Sequence, residues 1–289
     1  MDVVLLPLVN GLTQAAVLFM IAAGLTLIYG VLHVINFAHG SFVMLGSYLT
    51  MFFFVGKFET VTGLFLFIFV SSIIIALIGW AMEVFVLRKM YKADEFYMVL
   101  ATYAILLMIE GGVEKYWGSS PLSLPLPASL NTTISIVGIS VPLFSILICV
   151  IGLFVMILLW FMMNRTNLGK IIRAAAADQT MTNSLGVNVP ALFTVVFIIG
   201  IFLAAFAGGL LAPTVALLPN MGVNLVIQAF VVVVVGGLGN INGALIAAVL
   251  IGVLDSFLGF YVPVLTGITF YIVMAIILMI RPQGLLGKA

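Results

Sequence analysis

Charge is what this sequence has least of. Asp, Glu, Lys and Arg make up 7% of its 289 residues and hydrophobic residues 65%, against roughly 25% charged in an average soluble domain. That leaves too little polar surface for a soluble globular domain anywhere in the chain. The net charge of +1 is near neutral and no basic stripe is present, which excludes nucleic acid as a partner. The single cysteine, Cys149, excludes an internal disulfide and a cysteine metal site. The two histidines, His33 and His39, have no further His, Cys or carboxylate at ligand spacing, so no metal is expected. No nucleophile, base and orienting group fall together, so no catalytic residues are assigned. Residues 284–289, GLLGKA, are the nearest approach to a phosphate-binding loop, but they lack its spacing, its final Ser or Thr and its strand–helix context. The first apolar run carries Asp2 and no Lys or Arg before it, and reads as an uncleaved helix rather than a signal peptide.

What is abundant is apolar sequence in runs long enough to cross a hydrocarbon core of about 30 Å, which takes about 20 helical residues. Nine segments qualify as candidates: 5–29, 33–55, 61–87, 97–113, 139–163, 190–212, 223–236, 241–259 and 263–280. The expected fold class is all-α, a polytopic transmembrane helical bundle of about eight or nine spans, some broken or re-entrant, forming one membrane domain over 1–289. Segment 61–87 is long enough to tilt or protrude, and 223–236 is too short to cross alone. Arg88, Lys89 and Lys92, then Arg165, Lys170 and Arg173, then Arg281 and Lys288 follow the third, fifth and last segments. Basic flanks mark the cytoplasmic side, so nine crossings place the amino terminus outside and the carboxyl terminus in the cytoplasm. The only long polar outer stretch, 114–140, contains Pro121, Pro125 and Pro127 and then alternates as a short hairpin would. It offers an exposed element to a partner, or is a surface loop without a role.

Two stretches carry most of the information. In 24–48, GLTLIYGVLHVINFAHGSFVMLGSY, polar residues and glycines interrupt an apolar run midway. Backbone that leaves the helix inside a membrane must be satisfied by protein or by a watered cavity, so such breaks tend to border pathways. Asn36 and His39 either face the pore or hydrogen-bond the freed backbone, with Gly40 permitting a close approach. Gly236 to Ala244 matches Gly30 to Ala38 at five of nine positions, which makes Gly239 and Asn242 the corresponding pathway or break residues in a parallel repeat.

The second stretch, 164–190, is rich in alanine and ends on Leu185-Gly186 as a helix with a glycine stop. A short helix over about 169–188 across the cytoplasmic mouth is expected, its small residues admitting another surface and Arg173 and Asp178 supplying charge at its edge. Among the carboxylates, Glu83 is expected to pair with Arg88 or with the cytoplasmic helix. Glu110 and Asp255 could each meet another membrane subunit or line the outer mouth or pore, and Asp255 could also simply reach toward the membrane surface.

The motifs Gly24-Leu25-Thr26-Leu27-Ile28-Tyr29-Gly30, Ile35-Asn36-Phe37-Ala38-His39-Gly40, the Arg173 to Gly186 helix, Gly236-Gly237-Leu238-Gly239 and Arg281-Pro282-Gln283-Gly284-Leu285 together resemble the branched-chain amino-acid ABC transporter permeases of the LivH type. The resemblance spans nearly the whole chain. It implies a permease subunit of a bacterial inner-membrane importer, in which two permeases form the pore, two cytoplasmic ATPase subunits bind ATP and Mg, and an extracytoplasmic solute-binding protein delivers Leu, Ile or Val. The second permease is usually a longer LivM type paralogue, with a homodimer as the other arrangement. The ATPase-coupling residues would be Gly169, Arg173, Ala176, Ala177, Asp178, Leu185 and Gly186. Ala176-Ala177-Asp178 stands where more typical importers show Glu-Ala-Ala, which leaves the salt bridges at that contact open. The resemblance further implies a narrow, mostly apolar path, with selectivity residing mainly in the binding protein. Urea, short amides or other amino acids are alternative cargoes, and an ion-coupled secondary transporter using Glu110, Asp255 and His39 is the reading from another class.

Overall fold

The computed structural model describes residues 2–57, 59–91, 93–136 and 138–287. Lys92 and Lys288, counted above among the basic flanks, lie outside them. The apolar runs fold as helices because a backbone without water must pair its own N–H and C=O groups. The chain opens with α1 (Asp2–Leu32), α2 (Ala38–Phe54) and α3 (Val61–Met82). A π-helical turn, Glu83–Leu87, then leads into one more turn, α4 (Arg88–Met90), so the third segment does run on past the length of a simple span. After α5 (Glu95–Trp117), strands β1 (Thr133–Ile136) and β2 (Ile139–Pro142) pair antiparallel with Thr133 opposite Pro142. This is the hairpin expected from the alternation, and its turn uses Gly138 at φ +84°. Next come α6 (Leu143–Arg165), α7 (Asn167–Ala177), α8 (Gln179–Ser184) and α9 (Val189–Leu211). The chain closes with α10 (Met221–Gly236), α11 (Ile241–Tyr261) and α12 (Thr269–Ile280).

Six helices are long and apolar enough to cross a membrane, and α2, α10 and α12 are shorter. At 1.5 Å per residue these three reach only about 18–26 Å. Sequence reading flagged 223–236 as short, but 33–55 and 263–280 are shortened too. Residues 33–37 leave the helix, and the second run is cut by a 3₁₀ turn at Pro263–Leu265 and by Gly267 at φ +80°. The single helix expected over 169–188 is also two helices. Asp178 is extended at φ −156° and ψ 105°, and its carboxylate accepts from the N–H of Met181 at 2.9 Å, so it caps α8 instead of continuing α7.

The bundle is centred on α1 and α9. α1 packs against α11, α9, α6 and α10, and α9 is also flanked by α2 and α3. Association in lipid relies on close fit rather than on expulsion of water, so small residues line these contacts. A Cβ on Gly200 would stand 2.8 Å from the Gly24 carbonyl oxygen, and one on Gly208 would collide with the Val43 carbonyl. Along α1 and α11, a Cβ on Gly252 would meet the backbone of Gly11 and Ala15 at 2.8 Å. The outer faces of α3, α5 and α6 expose large apolar side chains, among them Leu77, Met108 and Phe154, a surface suited to lipid or to another membrane subunit.

Helix turnarounds at Tyr29 to His33, Met163 to Arg173, Leu238 to Asn242 and Leu286 to Gly287 meet around one cleft. Arg165, Lys170 and Arg173 belong to these turnarounds and Arg281, which donates to Leu285 O at 3.4 Å, borders the last, so this end is basic. Arg88 belongs to it as well. It pairs with buried Glu83 at 3.0 Å, as expected, while the Thr194 hydroxyl near the start of α9 donates to the same carboxylate at 2.9 Å. The Tyr91 hydroxyl donates to Glu83 at 2.7 Å, and burial, then the carboxylate itself, raises the phenol above its ordinary range, so it remains a donor.

Candidate functional site: two helix starts between two clefts

Two helices begin inside the bundle, and neither α2 nor α10 has a side-chain cap from its own flanking residue. α1 ends at Leu32, and His33 adopts φ +56°, a left-handed conformation rare outside glycine. The non-helical residues 33–37 then climb back along α1, so that the His39 Nε2 lies 2.9 Å from the carbonyl oxygen of Ile21, well up that helix. The start of α10 meets the start of α2 there. A Cβ on Gly40 would stand 2.0 Å from the Gly222 carbonyl oxygen. Only glycine lets these backbones cross so closely.

The first N–H groups of a helix need acceptors, and in an apolar bundle water does not supply them. α5 does so for both helices. The Phe37 N–H donates to the Thr102 hydroxyl at 3.2 Å and the Val223 N–H donates to the Glu110 carboxylate at 3.3 Å. Thr102 and Glu110 lie about two turns apart on one face of α5. A carboxylate at a helix start also interacts favourably with the helix dipole. Around this crossing Asn36, His39 Nδ1, Ser41 and Thr26 are buried without a partner.

Above and below this layer the bundle opens. The cleft at the basic end has a volume of about 630 Å³ and is lined in part by Tyr29, His33, Ala176, Ala177, Gly239 and Asn242. A second cleft, of about 500 Å³, opens toward the other end and reaches down to Ile21, the residue whose carbonyl His39 engages. Residues 22–28 of α1 between them are all buried. The five pathway residues named from sequence are therefore divided. Gly239 and Asn242 line the basic-end cleft, whereas Asn36, His39 and Gly40 are enclosed in the layer that separates the clefts.

The sequence echo has a backbone counterpart. Gly239, which aligns with His33, is also left-handed at φ +78°, and a Cβ on Gly30 would lie 3.4 Å from the Gly239 Cα. Asn240 is the residue that caps α11, accepting from the Gly243 N–H at 3.1 Å, and its amide donates to Leu286 O at 2.7 Å.

The residues expected to couple to an ATPase occupy different places. Gly169 is packed where a Cβ would collide with the Met163 carbonyl, and its N–H donates to Thr166 at 3.2 Å. Arg173 donates to the Met163 carbonyl and lines the cleft with Ala176 and Ala177. Asp178 caps α8, and Gly186, at φ +88°, ends it. Leu185 is 73% exposed at the tip, beside Met181 at 59%. Between α7 and α8, the Gln179 amide donates to Val31 O at 2.9 Å, tying this element to the last turn of α1.

Asp255 turns inward, accepting from Gln14 Nε2 and from the Gly267 N–H, each at 3.0 Å. It ties α11 to α1 and to the turn before α12, and lines neither cleft. Glu110 caps α10. Sequence reasoning missed Thr102, Gln179, Met181 and Asn240. Only two of these had a local signal: an Asn three residues before Gly243 at the head of an apolar run, and a Met and Leu four apart on an otherwise polar helix. Among the described residues, no group of three or more His, Cys, Asp or Glu is placed to hold a metal.

A helical membrane bundle with opposed clefts, a closed layer between them and an exposed helical element at one mouth is the form of a transport subunit. Residues 8–281 match the family described as the permease component of branched-chain amino acid transport systems, and the chain belongs to that family. It is 31% identical, over 97% of its length and 95% of the relative's, to the high-affinity branched-chain amino acid transport system permease protein BraD of Pseudomonas aeruginosa. It is 28% identical to LivH of Escherichia coli K12, over 96% of this chain and 94% of that one. It is also 29% identical to a probable LivH of Methanocaldococcus jannaschii, over 93% and 88%. No solved structure matches. As a permease component the chain is a transport subunit of the membrane, not an enzyme.

Proposed function

We propose that this chain forms one wall of the path of an ATP-driven importer for Leu, Ile and Val. The observation that carries the reading is the bond from Gln179 to Val31, because it joins an exposed element at the basic mouth to the helix that borders both clefts. Two ATPase subunits, holding ATP and Mg, seat the Met181–Leu185 tip. Their closure displaces α7 and α8, which pull on the end of α1 through Gln179 and on the end of α6 through Arg173. The layer at Gly24, Gly40, Gly200 and Gly222 has flat contacts that let helices slide, so one cleft closes as the other opens.

Six of the eight basic residues among the described residues, Arg88, Lys89, Arg165, Lys170, Arg173 and Arg281, flank the coupling end, which makes it cytoplasmic by the positive-inside rule. The chain then starts outside and ends inside a bacterial cytoplasmic membrane. A solute-binding protein delivers substrate to the opposite cleft, near loop 114–140, whose Leu122 pairs with Leu217 by backbone hydrogen bonds of 3.1 and 2.8 Å. A LivM type paralogue completes the pore. Of the three candidate proton carriers, Glu110 and Asp255 hold backbone N–H groups and His39 engages the Ile21 carbonyl instead, which argues against ion coupling.

The test is ATP hydrolysis by the permease with its co-expressed partners in lipid nanodiscs. Leucine-loaded binding protein should stimulate it, urea should not, and Leu185→Asp or Ala177→Trp should abolish the stimulation. Ion-driven uptake by this chain alone, with no ATPase co-purifying, would sink the proposal.

A further inference from the structure

The cleft opposite the coupling end is not the featureless apolar slot that a passive path implies. It lies between α1, α6 and α10, and no ionisable residue is among those lining it. Four carboxamides are: Asn10, Gln14, Asn224 and Gln228. The side chains of Asn10, Asn224 and Gln228 take part in no hydrogen bond among the described residues. Asn10 and Asn224 are exposed and Gln228 is half-buried, so these amides are free to pair with whatever enters the cleft.

The fourth amide is oriented. Gln14 faces the Asp255 carboxylate, an acceptor, and so presents its Nε2 to it at 3.0 Å. That leaves the Gln14 carbonyl oxygen as a free acceptor. Deeper in, Val17, Leu18, Ile21 and Leu225 form an aliphatic floor.

These features specify a ligand. It is neutral overall, carries donors and acceptors at one end and an aliphatic group at the other. Carboxamide N–H groups suit a carboxylate, and carboxamide carbonyls, that of Gln14 first, suit an ammonium. A side chain with its own charge would find no counter-charge in the cleft, and urea would leave the floor unfilled. We propose that the cleft is a substrate station at which the permease itself holds zwitterionic aliphatic amino acids and turns away charged ones, so that selectivity is applied a second time after release from the binding protein. The proposal rests on the importer reading and goes beyond it, because that reading alone asks only for a path.

The test uses the full complex in nanodiscs without binding protein or ATP, with saturation-transfer NMR reading ligand contact. L-Leucine should give a signal, and L-lysine, L-glutamate and urea should not. Asn224→Leu and Gln228→Leu remove amides that hold nothing else in the fold, and melting should show both variants folded. Each should weaken leucine contact by about tenfold, the factor corresponding to about 1.4 kcal/mol of lost hydrogen bonding. Gln228→Glu should admit lysine. Equal signals from leucine, lysine and glutamate, or leucine contact undiminished in both Leu variants, would overturn the proposal. The binding arm needs no ATP. Leucine contact present but no stimulation of hydrolysis by loaded binding protein would therefore fail the importer reading while supporting the station.

Discussion

Replacing Gly40 by alanine tests the crossing on which the closed layer depends. The added Cβ would stand 2.0 Å from the Gly222 carbonyl oxygen, with Val226 atoms at 2.8 Å, whereas real Cβ atoms essentially never come within 3.0 Å. Both obstacles include backbone, so α2 and α10 must separate by about 1 Å, and forcing one extra methyl into such a contact costs about 1–3 kcal/mol. Gly111→Ala is the matched control. It too lies in a helix, but nothing is within 4 Å of its Cβ position, so the better helix former should be neutral or stabilise by up to about 1 kcal/mol. The two identical chemical changes should therefore differ by about 1–4 kcal/mol. The half-buried Cys149, the chain's single thiol, reports unfolding when a thiol-reactive dye is added to detergent-solubilised protein during a thermal ramp. Gly40→Ala should melt earlier and Gly111→Ala should not. If Gly40→Ala melts with the parent, the two helix starts do not cross at backbone distance and the closed layer is not built as described.

Glu110→Ala deprives the first turn of α10 of its acceptor and its favourable charge, and should cost about 1–2 kcal/mol in the same assay, with Glu110→Gln milder because it keeps an acceptor; an Ala variant as stable as the parent refutes the cap. Arg88→Met leaves the Glu83 carboxylate buried without its cation, a loss toward the lower end of about 3–5 kcal/mol because Arg88 is itself 38% exposed. Adding Glu83→Met should recover part of that stability, and a double variant worse than Arg88→Met alone would show that the pair is not what holds α3 to α9.

Much of this architecture is legible in the chain itself. Apolar length marks nine helices, the alternation at Thr133 to Pro142 marks the hairpin, and Leu185-Gly186 marks the end of α8. The echo between Gly30 and Gly236 suggests corresponding helix breaks in two halves, and the aligned residues His33 and Gly239 are both left-handed, although nothing in the His33 stretch itself marks that conformation. The carboxylates were not legible in this way. Asp255 sits in an apolar helix whether it faces a pore, a lipid or another helix, and nothing in its neighbours says that Gln14 and Gly267 will meet it.

What the sequence by itself determined is the class of protein, the placement of its helices and the end that carries its positive charge. These follow from hydropathy and charge summed over local windows, which the bilayer reads one segment at a time. Tertiary structure alone decided that α5 caps two helices it does not adjoin in sequence, that Gln179 holds α1, and that four scattered carboxamides surround one cleft. Each of those depends on how helices are rotated about their axes, and rotation is set by the close fit of glycine and alanine faces between segments far apart in the chain.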